Sequence, residues 1–263
     1  MIRLPGLLAL LTVALAVSTA PLEASDVAKE KRWANQIVDA LIDGEAVWLN
    51  ADGHEFLGIY TAATDGSTDR AAILLHGIGV HPDWAQVIHP LRVGLTERGW
   101  STLSLQMPVL GNEADPKEYA PLFDEVPARI DAGIAFLKEK GARHIVLIGH
   151  SLGATMATYY LAAAERPVEA LVTIGMPGGG PAASLDNTQS LRLIRMPVFD
   201  LYGSNDLDIV LTSTEARAEA AKAAGNRHYQ QTRIAEADHF FNNMDDTLVE
   251  TVSVWLDETV PRK

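Results

Sequence analysis

Ser151 stands in the run Ile145-Val146-Leu147-Ile148-Gly149-His150-Ser151-Leu152-Gly153-Ala154. An aliphatic stretch enters a Gly-x-Ser-x-Gly pentapeptide, and a small-residue-rich helical stretch leaves it. A strand, a sharp turn and a helix in that order push one hydroxyl out at the end of a sheet, where it can serve as a nucleophile. The glycines have a steric task. The serine takes a strained backbone conformation with the residues two before and two after it pressed against each other, so a Cβ at Gly149 or Gly153 would clash. The bland alternative is a strand-to-helix turn in which Ser151 caps the helix. The apolar strand before and the helix after favour the nucleophile.

A neutral alcohol is a poor nucleophile at neutral pH, so Ser151 needs a base, and the base needs an acid to fix its tautomer. Val198-Phe199-Asp200-Leu201-Tyr202-Gly203-Ser204-Asn205-Asp206 reads as a strand leaving through Gly203 to a carboxylate. Asp206 is preferred there to Asp208, two residues on, and to Asp200, inside the strand. No acid directly follows the strand at 168–174. His239, in Ala237-Asp238-His239-Phe240, is the histidine that follows the last strand, whereas His228 begins that strand and reads as structural. An oxyanion would need backbone N–H donors. Leu152, directly after the serine, supplies one. The loop His76-Gly77-Ile78-Gly79 supplies the other, assigned to Ile78 with Gly77 as the alternative.

Other residues with chemical potential have plainer readings. His76 and His150 flank these loops and suit packing and hydrogen bonding around the turns. His81, Asp83 and His89 could be imagined as metal ligands, but Asp83 reads better as the cap of a following helix. Trp84, Phe240 and Phe241 suit either a substrate pocket or the core.

These residues need elements to hold them. An amphipathic helix is expected over 25–43, with Trp33 and Ile37 as docking residues, then two short strands at 46–50 and 55–60 joined by the hairpin signal Asp52-Gly53. Strands at 71–75, 101–105, 144–148, 168–174, 198–201 and 228–234 then alternate with helices at 83–98, 124–140, 152–165, 213–224 and 244–257. Gly99, Gly141 and Gly225 sit where helices end. The strands are short apolar runs without polar alternation, as in parallel sheets buried on both faces. The pattern predicts an α/β fold: a mostly parallel twisted sheet with helices on both faces and antiparallel strands at its N-terminal end. The Pro/Gly-rich connection at 176–196 leaves room for only a minimal lid.

The chain of 263 residues has 48% hydrophobic residues and a net charge of -13. That length suits one large domain, read as 25–263. The acidic balance disfavours nucleic acid and anionic membranes. The absence of cysteine excludes a thiol nucleophile, thiolate metal sites and disulfides. At the N-terminus, Met1 and Arg3 precede an apolar run from Leu7 to Val17, and small residues follow towards Ala24. This reads as a secretory signal peptide over 1–24, too short to span a bilayer easily. The expectation is an exported protein, periplasmic or secreted, with no stable membrane span after cleavage.

The His76-Gly77 loop, the Gly149-His150-Ser151-Leu152-Gly153 turn, the Gly203-x-x-Asp206 acid and the late His239 together resemble the α/β-hydrolase superfamily over residues 71–256. The fuller stretches His76-Gly77-Ile78-Gly79-Val80-His81-Pro82-Asp83-Trp84 and Gly99-Trp100-Ser101-Thr102-Leu103-Ser104-Leu105 look like a bacterial domain-of-unknown-function family of exported α/β-hydrolase-like proteins. The resemblance implies a serine hydrolase working through an acyl-enzyme, with no metal and no organic cofactor. The expected substrate is a small-molecule or lipid-like acyl compound, by default a carboxylic ester. A peptidase or amidase on the same residues, or a non-catalytic envelope-binding relative, are the alternatives.

Overall fold

Alternating side chains on the central strands divide the interior into two layers. On β3 (Arg70–Leu75), Ala71, Ile73 and Leu75 face one core, and Ala72 and Leu74 face the other. The first core is closed by α3 (Val126–Glu139), through Ile130, Ile134 and Leu137, and by α4 (Leu152–Ala163), through Met156 and Tyr160. The second is closed by α2 (Ile88–Gly94), through Leu91, and by α8 (Asp245–Thr259), through Leu248, Val252 and Leu256. Every residue of β3 is buried, as is every residue of β4 (Ser101–Leu105) and β6 (Ala170–Ile174). Burial on both faces suits the apolar runs of β3 and β6, whereas β4 departs from the apolar pattern expected and buries Ser101, Thr102 and Ser104 beside its leucines. The computed structural model describes residues 25–260, so the leader read at 1–24 lies outside the described residues.

The remaining elements are α1 (Val27–Ala40), β1 (Glu45–Ala51), β2 (His54–Thr61), β5 (His144–His150), α5 (Asn187–Leu191), β7 (Val198–Asn205), α6 (Asp208–Leu211), α7 (Thr214–Ala223) and β8 (Tyr229–Asp238). The eight strands form one sheet in the order β1-β2-β4-β3-β5-β6-β7-β8. β2 runs antiparallel to β1 and to β4, and all other neighbours are parallel. The chain goes from β3 to β4 on one side and then to β5 on the other. The carboxyl ends of β3 and β5 therefore flank a topological switch point, where open α/β sheets bind ligands. Helix α1 lies outside this frame, packing Ala34 and Ile37 on Leu57 and Ile59 of β2, with Trp33 against that cluster.

Three sequence expectations need correction. The helix expected over 83–98 is shorter: α2 starts at Ile88, and a 3-10 turn covers Leu95–Arg98. Val87 has φ 61°, which breaks the helical path before Ile88. Asp83 therefore caps nothing. Its carboxylate instead accepts from Arg92 at 2.6 Å and pairs with His89 Nδ1 at 3.0 Å. The helix expected over 124–140 begins at Val126, because a 3-10 helix (Pro116–Asp124) containing Pro121 precedes it. Strand β7 runs through Gly203 to Asn205, with a register shift against β8 between those two residues. Among the described residues, no helix is long and apolar enough to cross a membrane.

Candidate active site

Strand β5 delivers Ser151 to the sheet edge in a backbone state that few residues tolerate, φ 53° and ψ −117°. The turn is held from outside by the Ser151 N–H donating to the Ile174 carbonyl at 2.8 Å. Ser151 precedes α4, but its side chain makes no capping hydrogen bond, so the capping role weighed from sequence is absent. The two glycines do different work. A Cβ at Gly149 would lie 2.5 Å from the Gly153 carbonyl oxygen, as the sequence suggested. A Cβ at Gly153 would lie 2.1 Å from the Leu75 oxygen and 2.5 Å from that of His76, so this glycine lets α4 pack onto the end of β3.

Asp206 and His239 meet across a gap of thirty-three residues. His239 Nδ1 lies 2.6 Å from Asp206 Oδ1, and both residues are buried. An ionised carboxylate only accepts, so Nδ1 carries the hydrogen and Nε2 keeps a basic lone pair. The carboxylate is itself fixed: Oδ1 accepts from the Leu207 N–H at 2.8 Å and Oδ2 from the Gly203 N–H at 3.3 Å. Gly203 matters for a second reason, since a Cβ there would lie 2.2 Å from the Ala237 oxygen. Only glycine lets the end of β7 approach the end of β8 this closely.

Neither rival acid is near this histidine. Asp208 is exposed on the first turn of α6. Asp200 is fully buried among Arg217 Nε at 2.7 Å, the Tyr229 hydroxyl at 2.6 Å and Gln231 Nε2 at 2.9 Å. That environment consumes its acceptor capacity in a structural cluster. His228 is exposed at the start of β8.

Leu152 is the first residue of α4, so its N–H precedes the helix's own hydrogen-bond ladder and is one of the donors a helix leaves free. Ile78 is half-buried in the turn after β3, between Gly77 and Gly79. A Cβ at Gly77 would lie 3.4 Å from the Ser151 Cβ, which places this turn directly against Ser151. His76 anchors the turn's base. Its Nδ1–H donates to the Gly77 carbonyl at 2.9 Å, and its Nε2 accepts from the Met107 N–H at 3.0 Å. Burial lowers the His76 pKa to about 3, so the ring stays neutral as this pattern requires.

Three contributors escaped the sequence reading. Gly175, at the end of β6, has φ +59° and packs on His239; a Cβ there would lie 2.8 Å from His239 Nδ1. A glycine closing an apolar strand beside the proposed base was the available signal. Tyr119, in the 3-10 helix Pro116–Asp124, accepts from the Leu110 N–H at 3.2 Å and also engages the Gly79 backbone, tying the β4 loop to the β3 turn. Nothing local in the sequence marks that contact. Gln106 donates from Nε2 to the Met107 carbonyl at 2.7 Å and lies 3.1 Å from His76 Nε2.

Phe240 lines the site and Phe241 does not. The Phe240 ring lies 5.1 Å from that of His239 and is 41% exposed, whereas Phe241 is fully buried in the second core. Trp84 packs against His81, 5.5 Å between ring centres. His81, Asp83 and His89 do not converge as ligands, and among the described residues no group of three or more His, Asp or Glu could hold a metal ion. The connection after β6 holds only a 3-10 turn (Ala183–Leu185) and the five-residue α5, which packs on α4.

Solved structures share this architecture. Est1E from Butyrivibrio proteoclasticus is 14% identical with a TM-score of 0.66, over 82% of this chain and 99% of that one. XC6422 from Xanthomonas campestris, described as an α/β serine hydrolase without lid, is 17% identical with a TM-score of 0.63, over 84% and 97%. A cold-adapted esterase from an Arctic intertidal metagenomic library is 22% identical with a TM-score of 0.66, over 81% and 92%. At these identities the likeness establishes the α/β-hydrolase fold. No curated protein matches the chain. The family described as Protein of unknown function (DUF3530) matches residues 14–123 and 113–258, and the chain belongs to it.

Proposed function

We propose that this protein is an exported serine hydrolase that cleaves carboxylic esters through an acyl-enzyme. The observation that carries the reading is the buried 2.6 Å contact between His239 Nδ1 and Asp206 Oδ1, on the same sheet edge as Ser151. In the proposed cycle His239 Nε2 takes the Ser151 proton as Oγ attacks the acyl carbonyl. The Ile78 and Leu152 N–H groups receive the oxyanion. His239 then protonates the departing alkoxide. Water, deprotonated by the same nitrogen, releases the acid and restores Ser151. Asp206 keeps the hydrogen on Nδ1 and stabilises the transient imidazolium.

An ester is preferred to an amide because its alkoxide leaves more readily. An apolar acyl group is preferred because Leu207, next to Asp206, is 50% exposed, Ile209 is 55% exposed, and Phe240, next to His239, is 41% exposed. Exposed apolar side chains beside a reactive cluster gain by covering an apolar ligand. Export rests on the leader-like residues 1–24. The cold-adapted esterase and the lidless serine hydrolase that share the fold agree with the reading.

Fluorophosphonate labelling tests it. Wild type is expected to label and to hydrolyse p-nitrophenyl esters faster than the matching anilides, and Ser151→Ala to do neither. Folded wild type that refuses the probe would remove Ser151 as the nucleophile.

A further inference from the structure

We infer that His150 is a positioning residue that holds His239 in register by hydrogen bonding to its main chain. The inference rests on the proposed role of His239 as the base. His150 is 2% exposed, and its Nε2 lies 3.0 Å from the His239 carbonyl oxygen. A carbonyl can only accept, so Nε2 carries the hydrogen and Nδ1 is bare. Consistent with that tautomer, Nδ1 is buried and has no partner among the described residues. Burial, and then the neighbouring His239, lowers the His150 pKa to about 4, so the ring is neutral at physiological pH.

The need for such a tie is visible in the loop it holds. The loop bearing His239 follows directly on the end of β8 at Asp238 and turns through Phe241 at φ 53° and Asn243 at φ 60°. The loop's own hydrogen bonds run back to Asp238, whose carbonyl accepts from the Phe241 N–H at 3.2 Å and whose carboxylate accepts from the Phe240 and Asn242 N–H groups at 3.0 and 3.1 Å, so they shape the turn without tying His239 to β5. His150, by contrast, is the last residue of β5 and is paired in the sheet opposite Ile174 of β6. Its ring centre lies 4.9 Å from that of His239 and 5.9 Å from that of Phe240. On the other side the ring backs onto Gly77, where an added Cβ would lie 3.3 Å from Nδ1. One buried side chain thus touches the turn bearing the nucleophile, the turn proposed to bind the oxyanion, and the loop bearing the base.

Packing alone would make any side chain of similar size sufficient, whereas a tether needs the donor. His150→Leu keeps bulk without a donor. His150→Gln places an amide N–H near the Nε2 position. The expected result is a fall in kcat of about 10- to 100-fold for Leu, with KM little changed, because a base displaced by a fraction of an ångström still lets substrate bind. Gln should recover most of the loss. The far-downfield proton of the His239–Asp206 hydrogen bond should weaken in Leu and return in Gln. A folded Leu variant as active as wild type overturns the proposal. Should both variants fail to fold, nitrogen NMR of the wild-type His150 ring decides. Protonated Nε2 with bare Nδ1, coupled to the His239 carbonyl, supports the tether; the opposite tautomer or a charged ring overturns it. Failure of the triad reading is separable, since it appears as absent fluorophosphonate labelling in wild type.

Discussion

Gly175 and His239 are packed so closely that a β-carbon on residue 175 would sit 2.8 Å from His239 Nδ1 and 3.4 Å from Asp206 Oδ2. The histidine is held by Asp206 at its Nδ1, by Gly175 against its ring, and through its main chain by His150. Gly175→Ala therefore has two effects. It displaces the imidazole, and it forces an alanine to φ +59°. Ester turnover is expected to fall about 100-fold, and stability by about 1–2 kcal/mol. Steady-state kinetics and a denaturant titration measure the two; unchanged turnover would mean the ring has another place to go.

Strain at Ser151 should be visible as stability. Ser151 has φ 53° and makes no capping bond. Ser151→Gly removes the Cβ that makes this conformation costly, whereas Ser151→Ala keeps it. Both variants are expected to be inactive, with Gly more stable than Ala by about 1 kcal/mol. Equal melting temperatures would count against strain at this position.

Two buried histidines set an acid limit. His76 falls to about 3 and His150 to about 4, in both cases chiefly through burial, from 6.5 when exposed. The unfolded chain therefore takes up protons that the folded protein refuses once pH drops below about 6.5. Stability from these groups is complete above that pH and is lost as pH falls towards their folded values. Each contributes a slope of about 1.4 kcal/mol per pH unit in the interval. Urea titrations at pH 7, 6 and 5 should show the decline, and His150→Gln should flatten it; a pH-independent midpoint would contradict neutral burial.

Asp200 and Asp206 should separate cleanly by their defects. Asp200 is fully buried against Arg217, whose Nη1 also donates to the Val210 carbonyl at 2.9 Å and thereby ties down α6. Asp200→Ala leaves that guanidinium unpaired and is expected to cost about 3–5 kcal/mol. Asp206→Ala should cost less stability and more activity, because the imidazole loses its tautomer and its cation loses its partner. Thermal melts run beside ester assays distinguish the two, and a reversed pattern would reassign the acid.

The exposed rim predicts acyl selectivity. Phe240→Ser and Leu207→Ser should lower kcat/KM for p-nitrophenyl octanoate roughly tenfold while leaving the acetate nearly untouched, since only the longer chain covers those side chains. A uniform loss across chain lengths would point to disturbance of His239 and Asp206 instead.

Much of this was legible in the sequence because the signals are local. Apolar runs without polar alternation predicted a parallel sheet. Gly149 and Gly153 marked the turn at Ser151, and the spacing from Gly203 favoured Asp206 over its neighbours. Helix α2 was misread because apolar periodicity at 83–88 says nothing about Arg92, whose guanidinium draws Asp83 into a side-chain pair, nor about the positive φ of Val87.

The sequence by itself determined which residue types stand at the strand ends and in what order, because covalent spacing and periodicity are properties of the chain. Tertiary structure alone decided which of them touch. It placed Asp206 on His239, turned Asp200 away to Arg217, set Gly175 against the imidazole and gave His150 the His239 carbonyl to hold. These contacts join residues far apart along the chain, and they depend on how β5, β6, β7 and β8 lie side by side. That arrangement comes from burying both faces of one sheet at once, a condition no short window of sequence contains.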